Sequence, residues 1–318
     1  MDQRIEVIEQ FHQFKEIKMH IDLKFKTTIL FFLVSFNILA QDFELFKVQS
    51  AYYPNQTIED SETGREVGFW EWNAQLAIPQ RLKNEKTVLI HQLSYTNLRA
   101  DVEGTFANDE TEASKDFHAI SYSLNWIQTL SPKWNLAVNL SPTFASDFDQ
   151  SLSTDDFFFL GNALAIKTVS TKFKYGFGLA YTTSFGRQLV IPMGMLSYHT
   201  NNMALDIILP NGLSVVFNKD KAFHYGFQAR LNGGFFNNTS DIQIVNDEID
   251  RVGYARLNIG PKIGFRFNET IKINLEGGMA IARRLDFVDP EGETFDRTPE
   301  NGPFFKVGLS LSPKRKNK

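Results

Sequence analysis

Few side chains in this sequence could carry out acid–base or nucleophilic chemistry. The chain has no cysteine, which removes disulfides and thiolate chemistry together. Downstream of residue 40 there are four histidines: His91, His118, His199 and His224. His118 is close to Ser121 and Ser123 in the sequence, but in an extended strand the histidine and both serines point to opposite faces. No HExxH, GxSxG or phosphate-loop motif is present. The sequence therefore predicts no enzyme, no metal site and no cofactor.

The basic side chains of the C-terminal third are more informative. If the chain is extended there, one face of successive segments carries a set of cations with a single acid, Glu276, among them: Arg230, Arg256, Lys262, Arg266, Lys272 and Arg284. A charge directed at lipid near mid-membrane would cost roughly 2 to 4 kcal/mol, so we expect all of them to face inward. Two interpretations remain open, namely a salt-bridged interior that braces the wall and a conduit that weakly attracts small anions.

The elements that must position these residues are strands with a period of two. Over residues 173–185, Phe, Tyr and Leu alternate with Lys, Gly, Ala, Thr and Ser. The same alternation begins again at five further positions: Ile120, Trp134, Phe223, Leu257 and Ile271. A soluble sandwich also alternates, but these segments run about 12 to 15 residues against the usual 5 or 6, and aromatic residues cluster near their ends. The pattern predicts an all-β fold, an antiparallel up-and-down transmembrane β-barrel of about 12 to 14 strands.

The strand count depends on residues 203–217. About thirteen long segments lie between residues 45 and 312, and an odd number is unusual in bacterial barrels. The turn signal Pro210-Asn211-Gly212 divides residues 203–217 into a short hairpin, which gives fourteen strands. Twelve strands remain if the first segment or this hairpin stays outside the wall.

The connections predict both sidedness and register. Short turns alternate with longer acidic loops, and bacterial barrels place short turns in the periplasm and long loops outside. Divalent cations could bridge such an acidic rim to lipopolysaccharide. The three-residue turn Asn268-Glu269-Thr270 sets Lys262 opposite Glu276 and Arg266 opposite Lys272.

A short apolar run near the N terminus predicts export. Residues 27–40 follow Lys24 and Lys26 and precede Gln41, and their core is about half of the roughly 20 residues that a membrane-spanning helix needs. We expect residues 19–40 to be a cleaved signal peptide and residues 41–318 to be one barrel domain. Residues 1–18 would be an upstream extension, because Met1 and Met19 are alternative starts.

The composition agrees with a membrane barrel. Aromatic residues make up 14% of the chain, including 30 Phe, while the mean hydropathy of −0.25 is too polar for a bundle of membrane helices. The net charge of −4 argues against a nucleic-acid partner.

The chain resembles the uncharacterised outer-membrane barrel families common in Bacteroidota. The resemblance rests on Ile38-Leu39-Ala40-Gln41 at the export junction, on the repeated aromatic hairpins and on the turn Leu209-Pro210-Asn211-Gly212. It implies a barrel in the outer membrane with lipid, lipopolysaccharide and the barrel-assembly machinery as partners, and it implies no activity. The chain departs from many such barrels because it does not end in an aromatic residue, so residues 304–311 would have to supply the assembly signal.

Two functions follow from these observations as hypotheses. The first is a pore or transport-related barrel for small polar or anionic solutes, with the basic residues lining its lumen. The alternative is a plugged structural or surface-interaction barrel without transport activity. A channel for hydrophobic solutes is disfavoured, because the inferred lumenal faces are polar.

Overall fold

The structure, a computed structural model, describes residues 44–58, 65–106, 109–239, 243–244 and 247–313. The predicted upstream extension and signal peptide lie outside the described residues. The described residues form seventeen strands and one short 3-10 helix: β1 (Phe46–Thr57), β2 (Glu66–Arg81), β3 (Thr87–Phe106), β4 (Asp109–Thr129), β5 (Trp134–Ser146), η1 (Thr154–Asp156), β6 (Phe157–Thr168), β7 (Phe173–Thr182), β8 (Leu189–His199), β9 (Met203–Leu209), β10 (Gly212–Phe217), β11 (Phe223–Asn237), β12 (Gln243–Ile244), β13 (Asp247–Glu248), β14 (Arg251–Arg266), β15 (Ile271–Val288), β16 (Thr294–Asp296) and β17 (Gly302–Leu311). No helix within these ranges is long and apolar enough to cross a membrane.

Fourteen of the strands form a closed antiparallel barrel. Strands β1 to β11 follow one another around the wall, β14, β15 and β17 complete it, and β17 pairs with β1. The hairpin β12–β13 and the short strand β16 belong to the connections between wall strands. Residues 203–217 do form the separate strands β9 and β10. The predicted up-and-down barrel is confirmed, at the fourteen-strand end of the predicted range.

The two ends of the barrel differ in their connections. One end carries the predicted short turns together with the start of β1 and the end of β17, and we call it the short-turn end. The opposite end carries the longer connections after β1, β5, β11 and β15, and we call it the long-loop end.

The outward face of the wall is apolar, as the period of two requires. Trp70 and Trp72 are 40% and 46% exposed, and Glu71 between them points inward. Large apolar side chains are exposed all around the barrel, among them Leu93, Tyr122, Leu140, Phe177, Leu179, Phe227, Leu275 and Val307. Such a surface suits contact with lipid, and the pairing of β17 with β1 closes the ring of strands.

The wall is incomplete where the short hairpin β9–β10 ends. Leu209 pairs with Gly194 on β8, and Gly212 pairs with Arg230 on β11. Strand β8 extends beyond this level to Leu189 and β11 extends to Asn237, so the two strands lack the hairpin between them in the long-loop half.

Residues 183–188 pack against the strands beside this gap. A Cβ atom at position 253 would lie 2.0 Å from the carbonyl oxygen of Gly186, and one at position 233 would lie 2.2 Å from that of Ser184. Glycine at 233 and 253 therefore permits the loop to contact the backbones of β11 and β14 directly.

The end of β11 turns into the barrel instead of following the wall. Asn237 forms a parallel bridge with Ser146 of β5, although five strands stand between β5 and β11 in the wall. The amide of Asp147 donates a hydrogen bond of 3.2 Å to the carbonyl of Asn237. Residues 252–256 of β14, which runs beside this end of β11, are consecutively buried. Both faces of β14 are thus covered in the long-loop half.

An aromatic core fills the lumen at this level. Its side chains come from strands on both sides of the lumen, and each is at most 4% exposed: Tyr53, Phe69, Leu98, Phe117, Phe236, Tyr254, Leu285 and Phe304. The rings of Phe117 on β4 and Phe236 on β11 have centroids 5.4 Å apart. These side chains occupy the lumen in the long-loop half.

Candidate functional site

Basic side chains line one side of the lumen in the short-turn half. We call this set the basic wall, and it comprises Lys47, Arg230, Lys262, Arg266, Lys272 and Lys306. Their inward direction follows from alternation, since Phe305 and Val307, which flank Lys306, are 61% and 49% exposed on the outer face. Arg230 is exposed although it faces inward, and it pairs with Gly212 at the tip of the hairpin β9–β10.

Glu276 is the acid at the centre of the basic wall. The Nζ atom of Lys306 lies 3.4 Å from its Oε2 atom, and Gln228 donates a hydrogen bond of 2.5 Å to the same oxygen. Lys262 donates instead to the hydroxyl of Ser214, at 2.7 Å. Arg230, Lys47 and Lys272 lie close enough to Lys262 to repel its charge. Glu44 lies 3.7 Å from Lys47, so the six cations of the basic wall outnumber Glu276 and Glu44, and the wall keeps a positive excess.

The predicted register of β14 and β15 is confirmed. Lys262 is paired with Glu276, and Arg266 is paired with Lys272. Arg266 also donates to the carbonyls of Lys219 and Asp220, at 3.4 and 3.5 Å, which ties it to the β10–β11 turn.

Arg256 lies outside the basic wall, within the aromatic core. Its guanidinium carbon is 3.6 Å from the ring centroid of Tyr53 and 4.8 Å from that of Tyr254. It donates a hydrogen bond to Glu71 on β2, and Asn258 donates to the Tyr53 hydroxyl at 2.8 Å. The side chain of Arg256 is 2% exposed, so it belongs to the aromatic core and not to a solvent-lined surface.

The prediction that Arg284 faces the lumen was wrong. A bulge at Ala282, whose φ is 46°, shifts the register of β15 by one residue. Leu285 is consequently paired with the inward-facing Tyr254, and Arg284 is paired with Ala255 on the outer side. Arg284 there forms an ion pair of 2.5 Å with Asp286. Its neighbour Arg283 points inward, 5.6 Å from the Phe69 ring.

Two members of the basic wall were missed in the sequence. Lys306 alternates with Phe305 and Val307 in the last strand, and Lys47 lies between Phe46 and Val48 in the first. The same period-two rule that placed Lys262 would have placed both lysines, had the terminal strands been included.

The opposite side of the lumen is apolar beyond Lys174 and Asp206, which face inward near the short turns, and this corrects the expectation of polar lumenal faces throughout. We call this set the apolar wall, and it comprises inward-facing residues of β6, β7 and β8: Leu164, Ile166, Ala180, Ile191, Met193 and Met195. Ile208 of β9, paired with Met195, is 38% exposed. Alternation did not reveal this wall because β6 and β8 carry apolar residues on both faces.

A cavity of about 270 Å³ lies in the lumen beside the aromatic core, and Phe236 and Tyr254 of that core contribute to its lining. Polar side chains of β3, β4 and β5 line one side, including Thr96, Ser121 and Thr143, and apolar ones of β6 and β11 line another, including Phe158, Leu160 and Leu231. Thr183 and Ser184, from the loop beside the wall gap, complete the lining.

Ser197, His199 and Asp206 form a cluster whose geometry does not suit nucleophilic catalysis. Nε2 of His199 is 2.9 Å from Oδ1 of Asp206 and 3.2 Å from the Ser197 hydroxyl, which itself donates to Asp206 at 2.7 Å. A serine–histidine–aspartate relay requires the carboxylate and the hydroxyl on different ring nitrogens. Here both contact the same nitrogen.

His118 lies on the outer face, as predicted. It stacks between Tyr95 and Phe148, with ring centroids 6.0 and 5.8 Å away. Ser121 faces inward and shares a hydrogen bond of 2.7 Å with Thr143. No group of three or more His, Asp or Glu side chains in the described part of the chain could hold a metal ion.

Two of the acidic residues at the long-loop end, Asp147 and Asp156, form hydrogen bonds within the protein. Lys115 lies 2.8 Å from Asp147, and the Thr239 hydroxyl donates to the same carboxylate at 2.6 Å. Burial raises the pKa of Asp147, but these hydrogen bonds outweigh it and hold the pKa well below its usual range. Burial likewise raises the pKa of Asp156, yet hydrogen bonds from Ser153 and Asn237 leave it lowered.

The fold and the two-sided lumen define a closed β-barrel of the transmembrane type. The model of one family, described as Domain of unknown function (DUF6268), matches residues 37–312, and the chain belongs to that family. No curated protein sequence matches the chain.

Several solved barrels are similar to the chain. The NanC porin is 10% identical with a TM-score of 0.38, over 84% of this chain and 100% of that one. The COG4313 outer membrane channel from Pseudomonas putida F1 is 11% identical with a TM-score of 0.37, over 87% and 100%. LpxR from Salmonella typhimurium is 8% identical with a TM-score of 0.31, over 84% and 99%.

Proposed function

We propose that the protein is exported to the outer membrane of a Gram-negative bacterium and spans it as a barrel. The apolar outward face supports this location, and so does the pairing of β17 with β1, which closes the ring of fourteen strands. The export signal predicted at residues 19–40 points the same way. Membrane fractionation should find the protein in the outer membrane, with Gln41 at its N terminus; a soluble protein that keeps Met1 would contradict the proposal.

We propose further that the barrel is closed along its axis and takes small anionic solutes into its basic lumen from the short-turn end. The observation that carries this proposal is the difference between the two halves of the lumen: aromatic side chains and the Arg256–Glu71 pair occupy the long-loop half, whereas basic side chains line the short-turn half. Such a barrel binds solute without offering it a continuous aqueous path.

Thermal unfolding of the purified barrel with inorganic sulfate tests the binding role. Sulfate should raise the melting temperature of the wild type more than that of Lys262→Gln/Lys306→Gln, because a ligand stabilises the state that binds it. Lys167→Gln is the matched control, since Lys167 lies on the outer face over the Trp134 ring at 5.5 Å. Equal shifts in all three proteins would contradict the proposal.

An open anion-selective pore is the second candidate. The exposed Arg230 and the positive excess of the basic wall favour it, because rings of cationic side chains select anions in pores. It differs from the closed barrel in requiring a steady current across a bilayer.

A further inference from the structure

The apolar wall and the basic wall lie opposite each other. In the fourteen-strand ring, β7 at the centre of the apolar wall and β17 are seven strands apart in both directions. Ala180 on β7 and Lys306 on β17 therefore project from diametrically opposite strands.

Both walls also lie at a similar level. Leu164 is four residues from the end of β6 at Thr168, and Lys306 is five residues from the end of β17 at Leu311. Both of these ends belong to the short-turn end of the barrel. The lumen thus has an apolar side and a cationic side in the same cross-section.

We propose that this cross-section binds an amphipathic anion, a molecule with an apolar body and one carboxylate, sulfonate, sulfate or phosphate group. The body would lie against Met193, Met195 and Leu164, and the anionic group would lie near Lys262, Lys306 and Arg230. The proposal deepens the proposed binding function by naming the solute class, and rests on it.

The two walls select this class together. A small inorganic anion would neutralise the lysines but leave the apolar wall and the neighbouring Ile208, which is 38% exposed, in contact with water. An uncharged lipophile would cover the apolar wall. It would also remove water from the cations of the basic wall without supplying a negative charge to them. Only a ligand with both properties satisfies both sides of the lumen.

The test compares two fluorescent probes that differ in one charged group. 1-Anilinonaphthalene-8-sulfonate carries a sulfonate, and N-phenyl-1-naphthylamine is its uncharged counterpart. Both are titrated into the purified barrel in one uncharged detergent, and the signal of detergent alone is subtracted. We expect the sulfonate to bind the wild type at least about tenfold more tightly than the amine, as charge-assisted hydrogen bonds predict.

Variants assign the binding to the two walls. Lys262→Gln/Lys306→Gln, and each single substitution separately, should weaken the binding of the sulfonate probe and leave the binding of the amine probe unchanged. Met193→Ser should weaken the binding of both probes. Met279→Ser, at a residue 45% exposed on the outer face, should change the binding of neither. Far-UV circular dichroism and heat-modifiable gel mobility establish that each variant is folded.

Two results would overturn the inference. Equal binding of the two probes, unaffected by the lysine substitutions, would show that the anionic group is not recognised. Loss of sulfonate binding on addition of equimolar inorganic sulfate, with no effect of Met193→Ser, would show a site for simple anions. In that second case the proposed function stands and only the amphipathic class fails.

Discussion

Arg256 donates a hydrogen bond to Glu71 across the lumen, from a strand that β15, β17 and β1 separate from β2 in the wall. The arginine is almost wholly buried, and Tyr53 and Tyr254 contact the guanidinium. A buried cation of this kind is tolerated only while its partner remains, because an uncompensated charge in a packed interior is costly. The pair therefore connects β14 to β2 across the lumen, within the proposed closure.

Glu71→Leu should destabilise the barrel by about 3 to 5 kcal/mol, the range for a buried ion pair that loses one partner. Reversible urea unfolding in lipid vesicles measures the change in the free energy of unfolding. Glu71→Leu/Arg256→Met should recover part of the loss, and Glu291→Leu, in an exposed loop, should cost little. A Glu71→Leu variant as stable as the wild type would show that the pair does not hold the closure.

Much of the wall was predictable from local sequence. Alternation at Phe173 and Tyr175 defined an outward face, and a three-residue turn fixed Lys262 opposite Glu276. Arg284 was misplaced because the bulge at Ala282 shifts the phase of β15, and one sequence carries no clear signal for a single inserted residue.

The closure and the apolar wall depend on contacts between distant segments. Nothing local to Asn237 indicates that it will meet Ser146 of β5. Leu164 and Met193 occur in strands that are apolar on both faces, so a period of two cannot tell lumen from lipid there. The sequence therefore indicated the polar part of the lumen but not the apolar wall.

Gly253→Val should displace the loop at residues 183–188 from β14, because a Cβ atom there would lie 2.0 Å from the carbonyl oxygen of Gly186. We expect a destabilisation of about 1 to 3 kcal/mol, typical of overpacking, and faster trypsin cleavage after Arg187. Gly194→Val is the control, since a Cβ atom at position 194 has no neighbour within 4 Å. Equal cleavage rates in the two variants would contradict the packing of this loop.

The stability of the long-loop end should fall at low pH through Asp147. Its pKa is lowered in the folded state, so its contribution is complete above the unfolded value of about 3.9 and is lost progressively as the pH falls below that value. Asp147→Asn should flatten the acid limb of the stability–pH curve between about pH 4 and pH 2. Asp149→Asn, at a side chain 57% exposed beside the same lysine, should leave the acid limb unchanged. A flattened limb in Asp149→Asn and an unchanged one in Asp147→Asn would contradict the role of Asp147.

Sidedness can be measured directly because the chain has no native cysteine. Glu291→Cys, in the connection between β15 and β16, should react with a membrane-impermeant maleimide on intact cells. Asn201→Cys, in the turn between β8 and β9, should react only after the outer membrane is opened. Labelling of Asn201→Cys alone on intact cells would mean that the barrel is inserted in the opposite direction.

Planar-bilayer recording of the purified barrel tests the axial closure most directly. With Arg256, Glu71 and the aromatic core in place, the wild type should insert without a steady ionic current, whereas Tyr53→Ala/Phe69→Ala, which removes two side chains of the core, should produce channel openings. Lower salt should increase the preference of those openings for anions, because the basic wall is then screened less. A steady, anion-selective current from the wild type would contradict the closed barrel and establish an open pore.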